Sequence, residues 1–264
     1  MNKNKKHQMM RANQQKLQNL VVADSNIIVH DNFETIQKLV DGYSISRYGD
    51  GEIFMMTEQN MVYENYSETL KNRLIEVITQ DNSNSKLLIG IPLMFLRNDP
   101  DVKYNVKNQT WIRFWNDRIR VKELDKYIKL LNASEYYSSF FTQLYVYDDD
   151  YIKKLIQSIK RVWDNKEIVL FMNSESKNQS TNVITKLFDN ATKINHEIVP
   201  PTKAWESYND IYQRILKYDN TCLILLCCGP TATILANDVT KLNYQAIDFG
   251  QFIIGLIDKL HLFS

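Results

Sequence analysis

The chain has 264 residues, a formal net charge of +1, 44% hydrophobic and 24% charged residues, and three cysteines. That length fits one large domain or two small ones with a sizeable core, and the composition is that of an ordinary soluble globular protein. A near-neutral total excludes global attraction to nucleic acid, so no nucleic-acid partner is expected, and scarce glycine (7) and proline (5) argue against long flexible linkers.

Residues 1–30 are expected to form a polar arm, either loose or a peripheral helix, ahead of a single domain over 31–264. The basic start lacks the apolar stretch of a signal peptide. No apolar run is long enough to cross a bilayer, so the expected location is cytoplasmic with no transmembrane segment. From residue 32, Phe33, Ile36, Leu39 and Val40 recur at helical spacing. Gly42 ends that helix, and 43–47 reads as the first strand. A second helix over about 67–80 puts Leu70, Leu74, Val77 and Ile78 on one face, and 86–92 (KLLIGIP) reads as a short buried strand. Trp111, Phe114, Trp115 and Ile119 give another helix. Its aromatic face fits either the core or a stacking platform for a sugar or base, with Arg113, Arg118 and Arg120 nearby.

Residues 136–141 (YYSSFF) are a strand candidate, and Asp148, Asp149 and Asp150 open a helix continuing to 163. Acids at its start and bases near its end match the helix dipole. The rest reads as a strand over 167–172, a polar loop over 173–181 and a helix ending near 190. A short strand over 196–200, a helix over 204–218 and a central strand over 221–228 follow. A tight turn at 229–231 then leads into a helix to 241, and the last strand covers 244–248. Strands alternating with helices predict an α/β, Rossmann-like doubly wound, mostly parallel sheet with helices on both faces. Cys222, Cys227 and Cys228 all fall in one strand, without zinc spacing and in odd number. They read as buried, inert thiols of a reducing compartment.

Residues 44–52 (SISRYGDGE) carry the first chemical signal. In an extended backbone Asp50 and Glu52 would point to the same side, with Cα atoms about 6–7 Å apart, and could converge on a hard cation such as Mn²⁺ or Mg²⁺. Gly49 and Gly51 would let a ligand approach the backbone, and Arg47 offers a fork suited to phosphate. The bland alternative is a solvated turn after a strand. Ligands of open parallel sheets bind beyond the carboxyl ends of the strands. Two further polar clusters fall there: Glu175 with Lys177, and Gly229, Pro230 and Thr231 with Asp248 and Gly250. The Gly-Pro-Thr turn offers an anion the N–H groups of a helix N-terminus, Thr231 being either a ligand contact or a plain N-cap. Asp248 reads as a hydrogen-bonded strand-end residue or as a catalytic acid/base, and Glu175 as a base or a supporting ligand.

Four segments together resemble the bacterial GT-D glycosyltransferases, formerly the domain of unknown function DUF1792. They are 47–52 (RYGDGE), 188–191 (FDNA), 201–208 (PTKAWESY) and 229–250 (GPTATILANDVTKLNYQAIDFG), and the likeness covers roughly residues 30–258. The resemblance implies a Rossmann-like fold and a metal-associated pair at Asp50 and Glu52, preceded by Arg47. It also implies transfer of a hexose from a UDP-sugar to a glycan or glycoprotein acceptor, in surface-polysaccharide or adhesin biosynthesis. Lys177 stands where the family often has arginine, which keeps charge but loses the bidentate fork. The loop 178–183 (NQSTNV) replaces a Gly-x-Gly-Asn-Asp stretch, and Gln251 replaces a usual histidine with a group that cannot titrate. The expected enzyme is a metal-dependent UDP-hexose transferase, with Asp248 or Glu175 as the base if it inverts. The departures motivate an alternative, a non-catalytic nucleotide-binding subunit that stabilises a partner transferase. A homo-oligomer is compatible with either reading.

Overall fold

Where the chain lies on both sides of a sheet under helices, its strands are near-continuous apolar runs. The strand at 167–172 (EIVLFM) is such a run: Ile168, Leu170 and Met172 enter one hydrophobic core, and Val169 and Phe171 enter another on the opposite face. The computed structural model describes residues 27–81, 85–92, 126–127 and 129–263. The arm over 1–26 and the aromatic helix around 111–119 lie outside the described residues.

Among the described residues eight strands form one sheet: β1 (Ile28–Val29), β2 (Ser44–Arg47), β3 (Leu87–Ile91), β4 (Glu135–Ser138), β5 (Glu167–Met172), β6 (Lys193–Ile198), β7 (Leu223–Leu226) and β8 (Gln245–Asp248). Their order is β1-β4-β3-β2-β8-β7-β5-β6, and every pairing is parallel. This is the predicted parallel α/β architecture. β2 and β8 meet at Ile45 and Ile247, where the half built from β2–β4 joins the half built from β5–β8.

Local chemistry explains the helix starts. Asp31 accepts the Glu34 N–H at 2.8 Å, and Glu34 accepts the Asp31 N–H at 2.9 Å, a capping box that opens the Asn32–Val40 helix. The Asp148 carboxylate caps the Asp149–Ile159 helix through the Tyr151 N–H at 2.8 Å. The Pro230–Thr240 helix is buried along most of its length, and the Ser46 hydroxyl donates to its Thr233 carbonyl at 2.6 Å. Asp238 at its far end receives both Arg73 contacts at 2.7 Å and the Tyr208 hydroxyl, joining it to the Glu68–Thr79 and Tyr208–Ile215 helices.

Several expectations change. Ile28 and Val29, read as part of the arm, pair with β4. The polar loop over 173–181 is helical, as Ser174–Gln179 and then the start of Thr181–Leu187. Asn173 caps the first of these by accepting the Ser176 N–H at 2.9 Å, a short polar signal that resembles a loop. The helix expected over 204–218 begins as a 3₁₀ turn, Ala204–Ser207. The tail folds as a 3₁₀ segment, Ile254–Phe263, which the sequence reading leaves unassigned. Cys222 and Cys228 are buried and Cys227 half-buried, all free, and burial pushes the Cys227 thiol up to about 12, so they stay thiols. Among the described residues no helix is long and apolar enough to cross a membrane.

Trp163 is fully buried, with ring centroids 4.8 Å from Phe188 and 5.9 Å from Phe249, and its Nε1–H donates to the Leu187 carbonyl at 3.1 Å. Trp163→Ala leaves a large cavity and an unpaired carbonyl, so it should lower stability by about 3–5 kcal/mol. Urea unfolding followed by circular dichroism reads this directly, and a loss below about 1 kcal/mol would contradict the packing described.

Candidate functional site

Because all the strands are parallel, the segments after β2, β4, β5, β7 and β8 share one edge of the sheet. The crevice position of such a sheet is where its halves meet, here at β2 and β8. Arg47 closes β2 at that point. Its Nε donates to the Asp248 carbonyl at 3.0 Å and lies 3.8 Å from the Asp248 carboxylate. Its Nη1 donates to the Ser139 carbonyl at 3.4 Å and to the Thr142 hydroxyl. The guanidinium is therefore a buried strut across β2, β8 and the segment after β4, whereas the sequence reading gives it a direct phosphate contact. Gly250 has φ +51°, and a Cβ there would stand 2.5 Å from Arg47 Nη2, so glycine is required for the arginine to lie where it does.

Asp248 is 3% exposed. The Thr233 hydroxyl lies within donating distance of both Asp248 Oδ2 (3.2 Å) and the Arg47 carbonyl (3.0 Å). This surroundings suits a brace for Arg47 better than a base that meets a substrate hydroxyl.

Asp50 and Glu52 lie in a helix, Asp50–Met56, and not in extended backbone. Gly49 is the N-cap, and Glu52 Oε2 reaches back to accept its N–H at 2.7 Å. That single backward bond, half of a capping box because glycine has no side chain to return one, satisfies the N-cap N–H and fixes the helix start. At 3.6 residues per turn, positions two apart are about 200° apart around the axis and do not share a face. The extended-strand argument for convergence is thus corrected: Asp50 is half-exposed, while Glu52 turns inward at 8% exposure. The flanking glycines serve packing. A Cβ on Gly49 would meet Glu52 Oε2 at 3.3 Å. One on Gly51 would meet Met61 Sδ and Cε at 3.0 Å and Pro230 Cγ at 3.8 Å. The start of this helix therefore abuts the start of the Pro230–Thr240 helix.

Gly229 differs from these. It is exposed, has φ +60° and ψ −147°, and has open space where a Cβ would be. It is itself the N-cap, with Pro230 following, so Thr231 is not the cap. Thr231 is fully buried, and its hydroxyl has no hydrogen-bond partner among the described residues. On the Ser174–Gln179 helix, Glu175 is exposed and accepts from Gln179 Nε2 at 3.2 Å. Burial, and then the charge of Lys177, hold the His196 imidazole below its usual range, so Lys177 sits toward the edge strand β6. Gln251 is exposed beside Gly250.

The sequence reading passes over Glu64, a 4% exposed carboxylate whose Oε2 accepts the Trp205 N–H at 3.1 Å. It lies in a polar stretch with no pattern that marks it, although Trp205 falls in the 201–208 segment already singled out. Thr233 and Thr142 were equally silent, because hydroxyls on a helix and in a turn carry no periodicity.

Burial, then repulsion from Asp248, pushes the Glu52 carboxyl up to about 7 against the pull of the Gly49 N–H and Arg47. Burial also raises Asp248, with Arg47 and Thr233 opposing it. One guanidinium thus serves two buried carboxyls. Between the ordinary value of 4.5 and about 7, Glu52 holds its proton only when folded. Stability should therefore fall as pH rises through that window, by at most about 1.4 kcal/mol per pH unit for this group. Glu52→Gln removes the titration, so metal-free urea unfolding at pH 5 and pH 8 should show a smaller pH-dependent loss than in wild type. Equal losses in the two proteins would contradict a proton shared this way.

Comparisons with known proteins bear on the family and the fold. The chain is 29% identical over 221 residues to Glycosyltransferase GlyD of Streptococcus pneumoniae serotype 4, covering 82% of this chain and 26% of that protein. It is 28% identical over 218 residues to a probable glycosyl transferase, Gly, of Streptococcus gordonii, covering 80% and 30% respectively. The chain thus spans under a third of the length of these curated relatives. A solved structure described as a distinct glycosyltransferase fold of the domain of unknown function 1792 aligns with TM-score 0.78 and 28% identity, covering 92% of this chain and 82% of that one. A DUF1792 glycosyltransferase from Streptococcus sanguinis aligns with TM-score 0.74 and 25% identity over 86% and 82%. The family description "Glycosyltransferase GT-D fold" matches residues 45–256, and the chain belongs to that family of glycosyltransferases.

Proposed function

We propose that this protein transfers a hexose from a UDP-sugar to a glycan or glycoprotein acceptor with the help of a divalent cation. One observation carries the reading. Glu52 and Asp248 both feel the Arg47 guanidinium, and Asp50 stands half-exposed in the same helix turn as Glu52, beside a second helix N-terminus whose capping glycine is open to approach. A helix N-terminus favours an anion, but three carboxylates against one arginine would repel a bare diphosphate. The two facts are reconciled when the diphosphate arrives with a cation.

The donor set suits such an ion. Mg²⁺ and Mn²⁺ take hard oxygen ligands and are commonly held by one or two carboxylates plus substrate phosphates, so a large protein cage is not required. Among the described residues no group of three or more His, Cys, Asp or Glu is placed to hold a metal ion, so an ion here would rest on Asp50, Glu52 and the substrate phosphates. Asp50 would hold the ion through its half-exposed carboxylate, and Glu52 through the oxygen not engaged with Gly49. When bound, the ion supplies Lewis-acid stabilisation of charge developing on the UDP leaving group.

The remaining roles fall to protein groups. Gly229 and the helix it caps offer backbone approach and positive potential to the phosphates. Arg47 and Asp248 hold the strand ends in register beneath them. Lys177 adds charge from the β5–β6 side. If the reaction inverts, Glu175 is the accessible candidate to take the acceptor hydroxyl proton, Asp248 being tied to Arg47 and Thr233.

UDP release from a panel of UDP-sugars with Mn²⁺ and mixed glycan acceptors tests this. Wild type should release UDP from one donor, and Asp50→Asn and Glu52→Gln should each lose roughly 10–100-fold. Unaffected variants would remove the cation assignment. Nucleotide binding without release from any donor would favour the non-catalytic subunit, a reading that exposed Gln251, in place of the family's usual histidine, keeps in view.

A further inference from the structure

Residues 57–67 join the Asp50–Met56 helix to the Glu68–Thr79 helix, and Met61 ties the stretch to the helix start that carries Asp50. Met61 in this stretch packs against Gly51, between the two helix starts. The next two residues break the usual rule for apolar side chains: Val62 is 87% exposed and Tyr63 is 55% exposed. Single exposed apolar residues need no explanation, but an adjacent pair held at the rim of a site does.

The pair is firmly held. The Met61 N–H donates to the Glu64 carbonyl at 2.9 Å, and the Tyr63 carbonyl accepts the Lys203 N–H at 2.7 Å. Asn60 Oδ1 accepts the Tyr66 N–H at 2.7 Å. Beneath them the buried Glu64 carboxylate accepts the N–H groups of Trp205 (3.1 Å) and Asn65 (3.2 Å). Burying a carboxylate is costly unless it is well satisfied, and here that carboxylate fixes the backbone that presents Val62 and Tyr63. Lys203, which makes the other anchor, adopts a left-handed φ of 54°, unusual for a residue that is not glycine. It and Thr202 are exposed on the same turn. The surface therefore combines an exposed aromatic side chain on an anchored backbone, an aliphatic neighbour, a hydroxyl and an ammonium.

We infer that Val62 and Tyr63 form an acceptor subsite, taking the apolar face of a saccharide ring while Thr202 and Lys203 meet its hydroxyls. The inference rests on the glycosyltransferase reading above, and it deepens that reading by naming residues that recognise the acceptor. A saccharide suits this surface because a pyranose has one apolar face and a rim of hydroxyl groups, matching an exposed aromatic side chain bordered by polar ones. The anchored backbone limits the ordering entropy that binding must still overcome. The position beside Met61 places a bound sugar next to the Gly51–Pro230 junction where donor phosphates are proposed to lie.

Saturation-transfer NMR on the full chain, with a panel of methyl glycosides and disaccharides of the common hexoses and N-acetylhexosamines, provides the test. Wild type should bind at least one sugar, Tyr63→Ala should weaken that binding tenfold or more, and Tyr63→Phe should retain it. Val62→Ser should give an intermediate loss. Wild type that binds no saccharide, or Tyr63→Ala that binds as wild type does, would overturn the subsite. UDP binding by calorimetry in the same samples reports on the donor site separately. Wild type that binds saccharide but not UDP argues against the donor reading and leaves the subsite standing; the reverse pattern removes the subsite alone.

Discussion

The hydrogen bonds of one buried guanidinium organise the functional edge of this protein. Arg47 links β2 to β8 and to the turn after β4, so three parallel strands end in a fixed relation to one another. A charge in that place is costly, because desolvation is offset only by close and complete pairing. The chain meets the requirement with two backbone carbonyls, a threonine hydroxyl and the Asp248 carboxylate, and Gly250 supplies the space. Thr233 extends the network into the Pro230–Thr240 helix, whose capping Gly229 has open space around it. Disturbing Arg47 would therefore move the candidate anion-binding helix as well as the strand ends.

The site then divides by burial. Arg47, Glu52, Thr231 and Asp248 are buried and set shape and charge, while Asp50, Gly229, Glu175 and Gln251 are reachable from solvent. That division reassigns several residues without changing the neighbourhood in which they lie. Gly49 and Gly51 make room for Glu52 and Met61, whereas Gly229 has open space where a side chain would be. The charge balance follows from the same packing, since a second buried carboxyl with no second cation must hold a proton or acquire a positive partner.

Much of the fold was legible because parallel strands and amphipathic helices leave periodic marks. The runs at 167–172 and 221–228 could hardly be anything but buried strands, and the acids at 148–150 announced a helix start that Asp148 indeed caps. What the sequence hid was short or polar. β1 has two residues, too few for periodicity, and Ser174–Gln179 has no buried residue to mark a face. The site was legible as a set of segments converging at strand ends, since topology alone brings them there. The geometry within it was not legible, because Arg47 is defined by partners 92 to 201 residues away. Glu64 was hidden for the same reason, its anchor being Trp205, 141 residues on.

The spacing of Asp50 and Glu52 acquires a different meaning in this light. Two carboxylates two apart on a strand converge, whereas at the first and third positions of a helix they part. The inner one then closes a capping bond on Gly49, which fixes where the helix begins. Fixing the start fixes the direction of the outer one, Asp50, at the rim. Both carboxylates also lie in the first turn, where the helix dipole favours negative charge. A shift of Glu52 by one residue would remove the capping bond and turn Asp50 with the helix, although the count of carboxylates would be unchanged. The glycines belong to the same device: a side chain at Gly49 would crowd the capping oxygen, and one at Gly51 would push Met61 and the strap it anchors away from Pro230. The short motif thus specifies a local helix start first, and through it the placement of Asp50 at the rim.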